Sequence, residues 1–489
     1  MRLTRRAMLA GAVSGLATAA VAEGPLTSMR PRARVSAEAA IARLVAQSGV
    51  SGITGVAVID LATGAVLEDI EGSAPQPPAS VAKAITALYA VETLGADHRF
   101  VTRVLTDGPV VDGVAQGNLI LAGGADPDLA TDDLAALAQT VKATGLREVR
   151  GDFLVWDEAL RNIEEIDTDQ LDYLGYNPTI TGLNLNYNRV HFEWKLVNGD
   201  YTVAIDARSD NYRPAVTIAD VTLVDRETPL FTYRDAGDVD LWTVARPALN
   251  DAGSRWLPVR HPALYAGEVF ATFMRSQGIV LKRPKETGDL PETTEIATLV
   301  SNPLEEKLRF MLRNSINLSA EVTGMTASKS RAGEARGMRT SALAMSRWAT
   351  ERCGGVQPIF VDHSGLGDAS RVSAMDMARM LAAPGVRASL YPVLRDRAVT
   401  NEAGEPVNRA GVEVRAKTGT LNFVSTLAGY VRTDQGRDLA FAIFSSDLDR
   451  REEGKRLGDE RPAGSRTFGG RARTLQADIL RHLALRLPA

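Results

Sequence analysis

From Val81 to Val91 the chain shows almost no polar face. Val81, Ala82, Ala84, Ile85, Ala87, Leu88, Ala90 and Val91 surround a predicted helix that starts near Ser80 and runs to about Leu94. A helix that is apolar all round must be enclosed by the rest of its domain. The segment therefore predicts a buried central helix, opening just after the chain-breaking Gln76-Pro77-Pro78. Lys83 lies inside it, and a buried lysine is costly unless it is neutral or paired. Ser80 and Lys83 are three positions apart, so their side chains share one helix face. At the helix N-terminus the backbone N–H of Ser80 is free to receive an oxyanion. A serine beside a lysine whose ammonium form is disfavoured is a nucleophile with its base. A bare Ser-x-x-Lys arises often by chance, so other signals have to decide.

Lys417-Thr418-Gly419, followed by Thr420, sits at the end of a strand-like run beginning at Val412. The lysine offers a positive charge, the threonines hydroxyls for a carboxylate, and the glycine room for substrate against a strand edge. A Ser-x-Asn element appears twice, as Ser209-Asp210-Asn211 and as Ser315-Ile316-Asn317. Ser209 falls in a strand-rich region and reads as a loop. Ser315 ends a helical run (Leu304, Leu308, Met311, Leu312), and a second run, Ala320 to Thr326, follows. A tight turn between two helices can aim a serine and an asparagine into one cleft, so context selects Ser315 and Asn317.

The two ends of the chain look alike in kind. Near the start come a helix with Ala37, Ala40, Ile41, Leu44 and Val45 on one face, a strand over Gly52–Asp60 and a return strand over Ala65–Ile70. Near the end come a hairpin (Ser425–Val431 and Leu439–Ser445) and an amphipathic helix with Leu475, Ile479, Leu483 and Leu487 at helical spacing. Together they predict one α+β domain. Between Val101 and Pro284 short strands dominate: Thr202–Asp206, Ala215–Val224 and Leu230–Tyr233, with one helix at Leu264–Gly278. This reads as inserted, mainly β structure.

With 45% hydrophobic and 24% charged residues, the 489-residue chain falls outside the disordered and membrane classes. A net charge of −4 gives no electrostatic case for nucleic acid. Cys353 is the one cysteine, and His98, His191, His261, His363 and His482 are scattered, so neither an internal disulfide nor a metal site is expected. Arg2, Arg5 and Arg6, the uncharged stretch Met8–Val21 and Ala20-Val21-Ala22 before Glu23 form an export signal too short to span a membrane. The Thr4-Arg5-Arg6-Ala7-Met8-Leu9 run resembles a twin-arginine signal, with a general signal as the alternative.

Taken in order, Ser80-x-x-Lys83, Ser315-x-Asn317 and Lys417-Thr418-Gly419 resemble the signature of penicillin-binding proteins and serine β-lactamases. The long interval between Lys83 and Ser315 resembles the class C low-molecular-mass penicillin-binding proteins, the D-alanyl-D-alanine carboxypeptidase/endopeptidase family. Pro78–Lys83, Gly123–Leu129, Gly182–Asn188, Pro262–Ala266, Asp362–Leu366, Lys417–Leu421 and Leu427–Tyr430 match that family in order, with Ile316 and His363 as departures. The resemblance implies an antiparallel sheet flanked by helices, split into 35–98 and 285–489. It implies an inserted domain of 99–190 and 251–284, with a third nested at 191–250, after a signal peptide of 1–22. It also implies catalytic roles for Ser80, Lys83, Ser315, Asn317 and Lys417, and substrate binding by Thr418, Gly419 and Thr420. No cofactor, nucleic acid or mature membrane span is implied. The substrates would be peptidoglycan stem peptides or cross-links, in the periplasm, with β-lactam antibiotics as covalent inhibitors. A β-lactamase or D-amino-acid esterase using the same site, or a silent wall-binding homologue, are the alternatives.

Overall fold

A computed structural model of the chain describes residues 37–486, apart from 335, 402 and 408. The export signal and Leu487 of the expected tail helix lie outside the described residues. At the centre is a six-stranded antiparallel sheet. Its strands lie in the order Arg395–Asp396, Glu413–Leu421, Val424–Arg432, Asp438–Ser446, Ile53–Asp60 and Val66–Ile70. The first long strand thus pairs with the last, along its whole length from Ile53 opposite Ser446 to Asp60 opposite Leu439.

Alternation along these strands sorts their side chains between two apolar layers. Val56, Val58, Leu427, Leu439, Phe441 and Ile443 pack with Ile41, Leu475, Ile479 and Leu483 of the two terminal helices, Ala37–Gln47 and Ser465–Arg486. Ala57, Ile59, Ala428, Tyr430, Ala440, Ala442 and Phe444 face the other way, onto the helical layer around the Ser80 helix. That helix spans Ala82–Leu94 and is buried from Ala82 to Ala90, as its composition requires. It stops at Gly95, whose φ of 88° no ordinary helical residue adopts. Ser80 itself lies just before it, in a single 3₁₀ turn over Ala79–Val81.

The inserted part opens with a mixed five-stranded sheet, ordered Lys285–Glu286, Phe153–Trp156, Leu119–Ala122, Val101–Thr106 and Thr294–Val300. The last of these pairs antiparallel with Val101–Thr106, so residues 285–300, expected in the catalytic half, complete the insert's sheet instead. Likewise Ala252–Pro258 pairs with Arg189–Val197, so the nested unit closes after Pro258 rather than at 250. One apolar cluster runs through both insert units, from Val104 and Leu121 to Trp242 and Val244. The insert also holds a helix not expected from the sequence, Thr131–Ala143, which buries Leu134, Leu137, Ala138 and Val141. The expected strand Ala215–Val224 is ordered as a strand only over Ala219–Val224. Among the described residues no helix is long and apolar enough to cross a membrane.

Candidate active site

Ser80 is held by close backbone packing. Ala79, immediately before it, has a φ of 46°, a left-handed conformation that costs a non-glycine residue about 1–2 kcal/mol. Two glycines allow the chain to stay there. A Cβ on Gly419 would sit 2.9 Å from the Ala79 side chain and from the Pro78 carbonyl, and a Cβ on Gly365 would overlap the Ala79 carbonyl. The Thr426 hydroxyl donates to the Pro78 carbonyl at 2.8 Å. The Lys417-Thr418-Gly419 triplet therefore lies within the strand Glu413–Leu421, and not at its end. Gly419 is buried, and a Cβ there would run into the Thr426 hydroxyl as well as Ala79, so the strand lies this close to the Ser80 turn only without a side chain at that position.

Lys83 is fully buried, and its Nζ makes three contacts: Ser80 Oγ at 2.9 Å, Asn317 Oδ1 at 2.7 Å and the Ser364 carbonyl at 2.7 Å. The last two partners can only accept. A neutral amine has two N–H bonds and one lone pair, so both hydrogens are engaged and the lone pair faces Ser80. The orientation of the Asn317 amide is set by its own Nδ2, which donates to the Tyr176 carbonyl at 2.9 Å. Burial pulls the Lys83 ammonium down, the charges of Asp362 and Glu321 push it back, and it settles at about 8.

Asn317 begins the helix Asn317–Ala332, and Ser315 closes the preceding helix, Leu304–Asn314, in a left-handed conformation with φ 58°. That residue turns the chain, so Ser315 and Asn317 reach the same cleft. Lys417 Nζ donates to Ser315 Oγ at 3.0 Å and to the Thr418 carbonyl at 2.7 Å. Burial, and then repulsion from Lys83, bring Lys417 down to about 6. Ser80, Ser315, Asn317 and Thr420 line one cleft of about 700 Å³; Thr418 is not among its lining residues. The rival triplet does not line this cleft. Ser209 Oγ donates to Asp132 within the insert.

Several contributors escaped the motif reading. Leu171, Leu174 and Tyr176 of the insert line the cleft with Leu366 and Leu421. An ion pair between Asp169 and Lys455 (2.9 Å) and a hydrogen bond from Tyr173 to Glu460 (3.2 Å) tie that insert segment to the catalytic half. The Gly123–Leu129 turn buttresses the helices on both sides of Ser315: Ser319 Oγ of the Asn317 helix donates to Asp128 at 2.7 Å, and Lys307 of the Leu304–Asn314 helix meets Asp126 at 2.7 Å. Behind Lys83 sit two carboxylates, Glu321 and Asp362, both fully buried.

The model of the D-Ala-D-Ala carboxypeptidase 3 (S13) family matches residues 37–460. The chain belongs to that family. It is accordingly a serine hydrolase of the D-alanyl-D-alanine carboxypeptidase kind. Among S13 relatives, it is 29% identical to a D-alanyl-D-alanine carboxypeptidase of Actinomadura sp. (strain R39), over 81% of this chain and 78% of that one. It is 23% identical to the D-alanyl-D-alanine carboxypeptidase DacB of Haemophilus influenzae, over 78% and 82%. The crystal structure of penicillin binding protein 4 (dacB) from Haemophilus influenzae superposes with a TM-score of 0.71 at 20% identity, covering 90% of this chain and 99% of that one. A second structure of that protein, complexed with a β-lactam, has a TM-score of 0.67 at 19% identity, with the same coverage. These two likenesses show the fold.

Proposed function

We propose that the chain hydrolyses peptidoglycan stem peptides ending in D-alanyl-D-alanine, or D-configured cross-links, through an acyl-enzyme on Ser80. The observation that carries this reading is the Lys83 Nζ to Ser80 Oγ contact, with both hydrogens of a neutral Lys83 already taken. The Ser80 proton passes to the Lys83 lone pair as Oγ bonds to the penultimate D-alanine carbonyl carbon. The backbone N–H groups of Ser80 and Thr420 receive the oxyanion. Asn317 has one Nδ2 hydrogen beyond the one given to Tyr176, and it holds the substrate amide carbonyl. Ser315, bonded to Lys417, relays the proton that Lys83 took from Ser80 to the leaving amine, which departs with the terminal D-alanine and leaves Lys83 neutral and Ser315 a hydroxyl again. Lys417 and Thr420 hold the substrate carboxylate. Burial and repulsion from Lys83 lower the affinity of Lys417 for protons, and the substrate anion raises it again, so Lys417 meets that anion as an ammonium. Water then releases the acyl group and restores Ser80.

A β-lactam presents the same carbonyl and carboxylate, but its leaving amine stays tethered, so the acyl-enzyme persists. The β-lactam complex of the Haemophilus influenzae protein supports this expectation. Catalytic residues 37–98 and 301–486 would form one domain, with 99–300 inserted and 189–258 nested within the insert. The basic, then apolar leader supports export to the periplasm, with Glu23 as the first mature residue. Mass spectrometry after benzylpenicillin tests the reading. One covalent adduct is expected, on the peptide containing Ser80, and Ser80→Ala should abolish it. An adduct on another residue, or none, removes Ser80 from the role.

A further inference from the structure

Tyr176, whose carbonyl orients the Asn317 amide, sits in a segment without helix or strand. The segment leaves and rejoins the insert at one place, where Ile163 and Ile180 exchange backbone hydrogen bonds of 2.9 and 2.8 Å. A loop of this kind has no ladder to fix its backbone, so its polar groups must find other partners. Two side chains supply them. Asn177, fully buried, accepts at Oδ1 from the N–H groups of Ile166 (2.9 Å) and Asp167 (3.0 Å) and donates through Nδ2 to the Asp167 carbonyl (2.9 Å). Arg260 reaches in from outside the segment. Its guanidinium donates to the carbonyls of Glu164 (2.9 Å), Asp172 (3.1 Å) and Asn177 (3.2 Å). Its own backbone N–H donates at 2.8 Å to Asp240, a buried residue of the nested unit's strand Asp240–Ala245. The Arg260 side chain is only 8% exposed, and its carboxylate neighbour Glu165 stands off at 3.9 Å, so its hydrogen bonds are spent on the loop backbone.

We propose that Arg260 is a positioning residue for acylation: by clamping the 164–177 backbone it places the Tyr176 carbonyl, and so keeps the Asn317 amide with Oδ1 to Lys83 and Nδ2 to the cleft. The chain of contacts is continuous. Asn177, whose carbonyl Arg260 holds, follows Tyr176 directly. A carbonyl only accepts, so Tyr176 admits just the NH2 end of the Asn317 side chain. The reversed amide would set two oxygens against each other at Tyr176. It would also turn an N–H toward Lys83, which then loses the acceptor for one of its hydrogens. The nested unit lines no part of the cleft, yet it takes part in the chemistry through Asp240 and Arg260. Its other contacts hold the same loop: Tyr173 stacks on Phe231 with ring centroids 4.7 Å apart, and Arg255 lies 4.5 Å over the Tyr173 ring.

The proposal rests on the Ser80 acyl-enzyme, and its test keeps the two apart. The second-order rate of benzylpenicillin acylation is measured for the wild type, Arg260→Lys, Asn317→Ala and the double variant, with labelling of the slow variants followed for hours. Lysine keeps the charge, but a single ammonium cannot span the carbonyls that a planar fork of N–H groups reaches. Arg260→Lys should slow acylation about ten- to a hundredfold, the scale of a small misplacement of a reacting group. In the Asn317→Ala background the same substitution should change the rate by no more than about twofold, because the amide it positions is gone. A merely structural loss would slow both backgrounds alike. Wild-type labelling by Arg260→Lys, or equal slowing in both backgrounds, overturns the proposal. If Arg260→Lys does not fold, Asn177→Ala undoes the same loop from within and carries the same expectations and the same overturning results. A wild type that takes no label sinks the Ser80 reading itself. A wild type that labels, with Arg260→Lys labelling as fast, removes only the role of Arg260.

Discussion

His363 and Gly324 fit together only as a pair. The imidazole is fully buried, and a Cβ on Gly324 would lie 2.3 Å from its ring. Its Nε2 is 2.7 Å from Ser341 Oγ, which donates to Ser328 Oγ, itself bonded to the Tyr89 hydroxyl. Burial pushes the imidazolium down to about 3. The unfolded chain takes up that proton near 6.5 and the folded chain only near 3, so between those values the unfolded state binds more protons. Stability from this group is therefore whole above 6.5 and falls as pH drops toward 3, by at most about 1.4 kcal/mol per unit. Urea unfolding at pH 7 and pH 4.5 should show a loss for the wild type that is smaller in His363→Gln. Equal losses in both would assign acid sensitivity to other groups. Gly324→Ala should destabilise by about 1–3 kcal/mol, the usual range for forcing a methyl into a packed core. The same substitution in a His363→Gly background should cost clearly less.

The Ser80 helix was legible because nothing but burial explains eleven positions with so little polarity, and the helix is indeed enclosed. The choice between the two Ser-x-Asn triplets rested on helices either side of Ser315, and both helices are present. Acylation should accordingly collapse in Asn317→Ala and hold in Asn211→Ala. Stopped-flow measurement with benzylpenicillin checks this, and the reverse pattern would mean that the wrong triplet was chosen. The strand through Lys417-Thr418-Gly419 was harder to read, since glycine and lysine are poor strand formers and only pairing along Val424–Arg432 holds them there. What Gly419 packs against, the Ala79 turn and Thr426, was not legible at all. A sequence does not reveal a glycine's distant neighbours. Glu321 left a faint signal: a carboxylate amid Leu318, Ala320 and Val322, four positions after a candidate asparagine. The helix Thr131–Ala143 left a clear one, Leu134, Leu137, Ala138 and Val141 after Asp132 and Asp133, masked by the strands around it.

Across the whole molecule, the catalytic half and the insert meet over the cleft. A backbone carbonyl of the insert, at Tyr176, holds the Asn317 amide in the orientation that Lys83 needs. The boundary of the insert was misplaced at 285 because Lys285–Glu286 and Thr294–Val300 are ordinary short strands whose partners, Phe153–Trp156 and Val101–Thr106, lie far back in the chain. Pairing of Ile53–Asp60 with Asp438–Ser446 spans nearly the full described length. Contacts so distant in sequence form slowly, because the loop between them must be closed before they bring any gain. A growing or refolding chain therefore has Ser80 and Lys83 early, yet lacks the floor beneath them until its last strands arrive. During refolding from urea, labelling by a fluorescent penicillin should lag behind the burial of tryptophan in the insert, and labelling that keeps pace with it would contradict this order. The antibiotic would then serve as a clock for assembly, since the serine becomes a target only when the two ends of the chain have found each other.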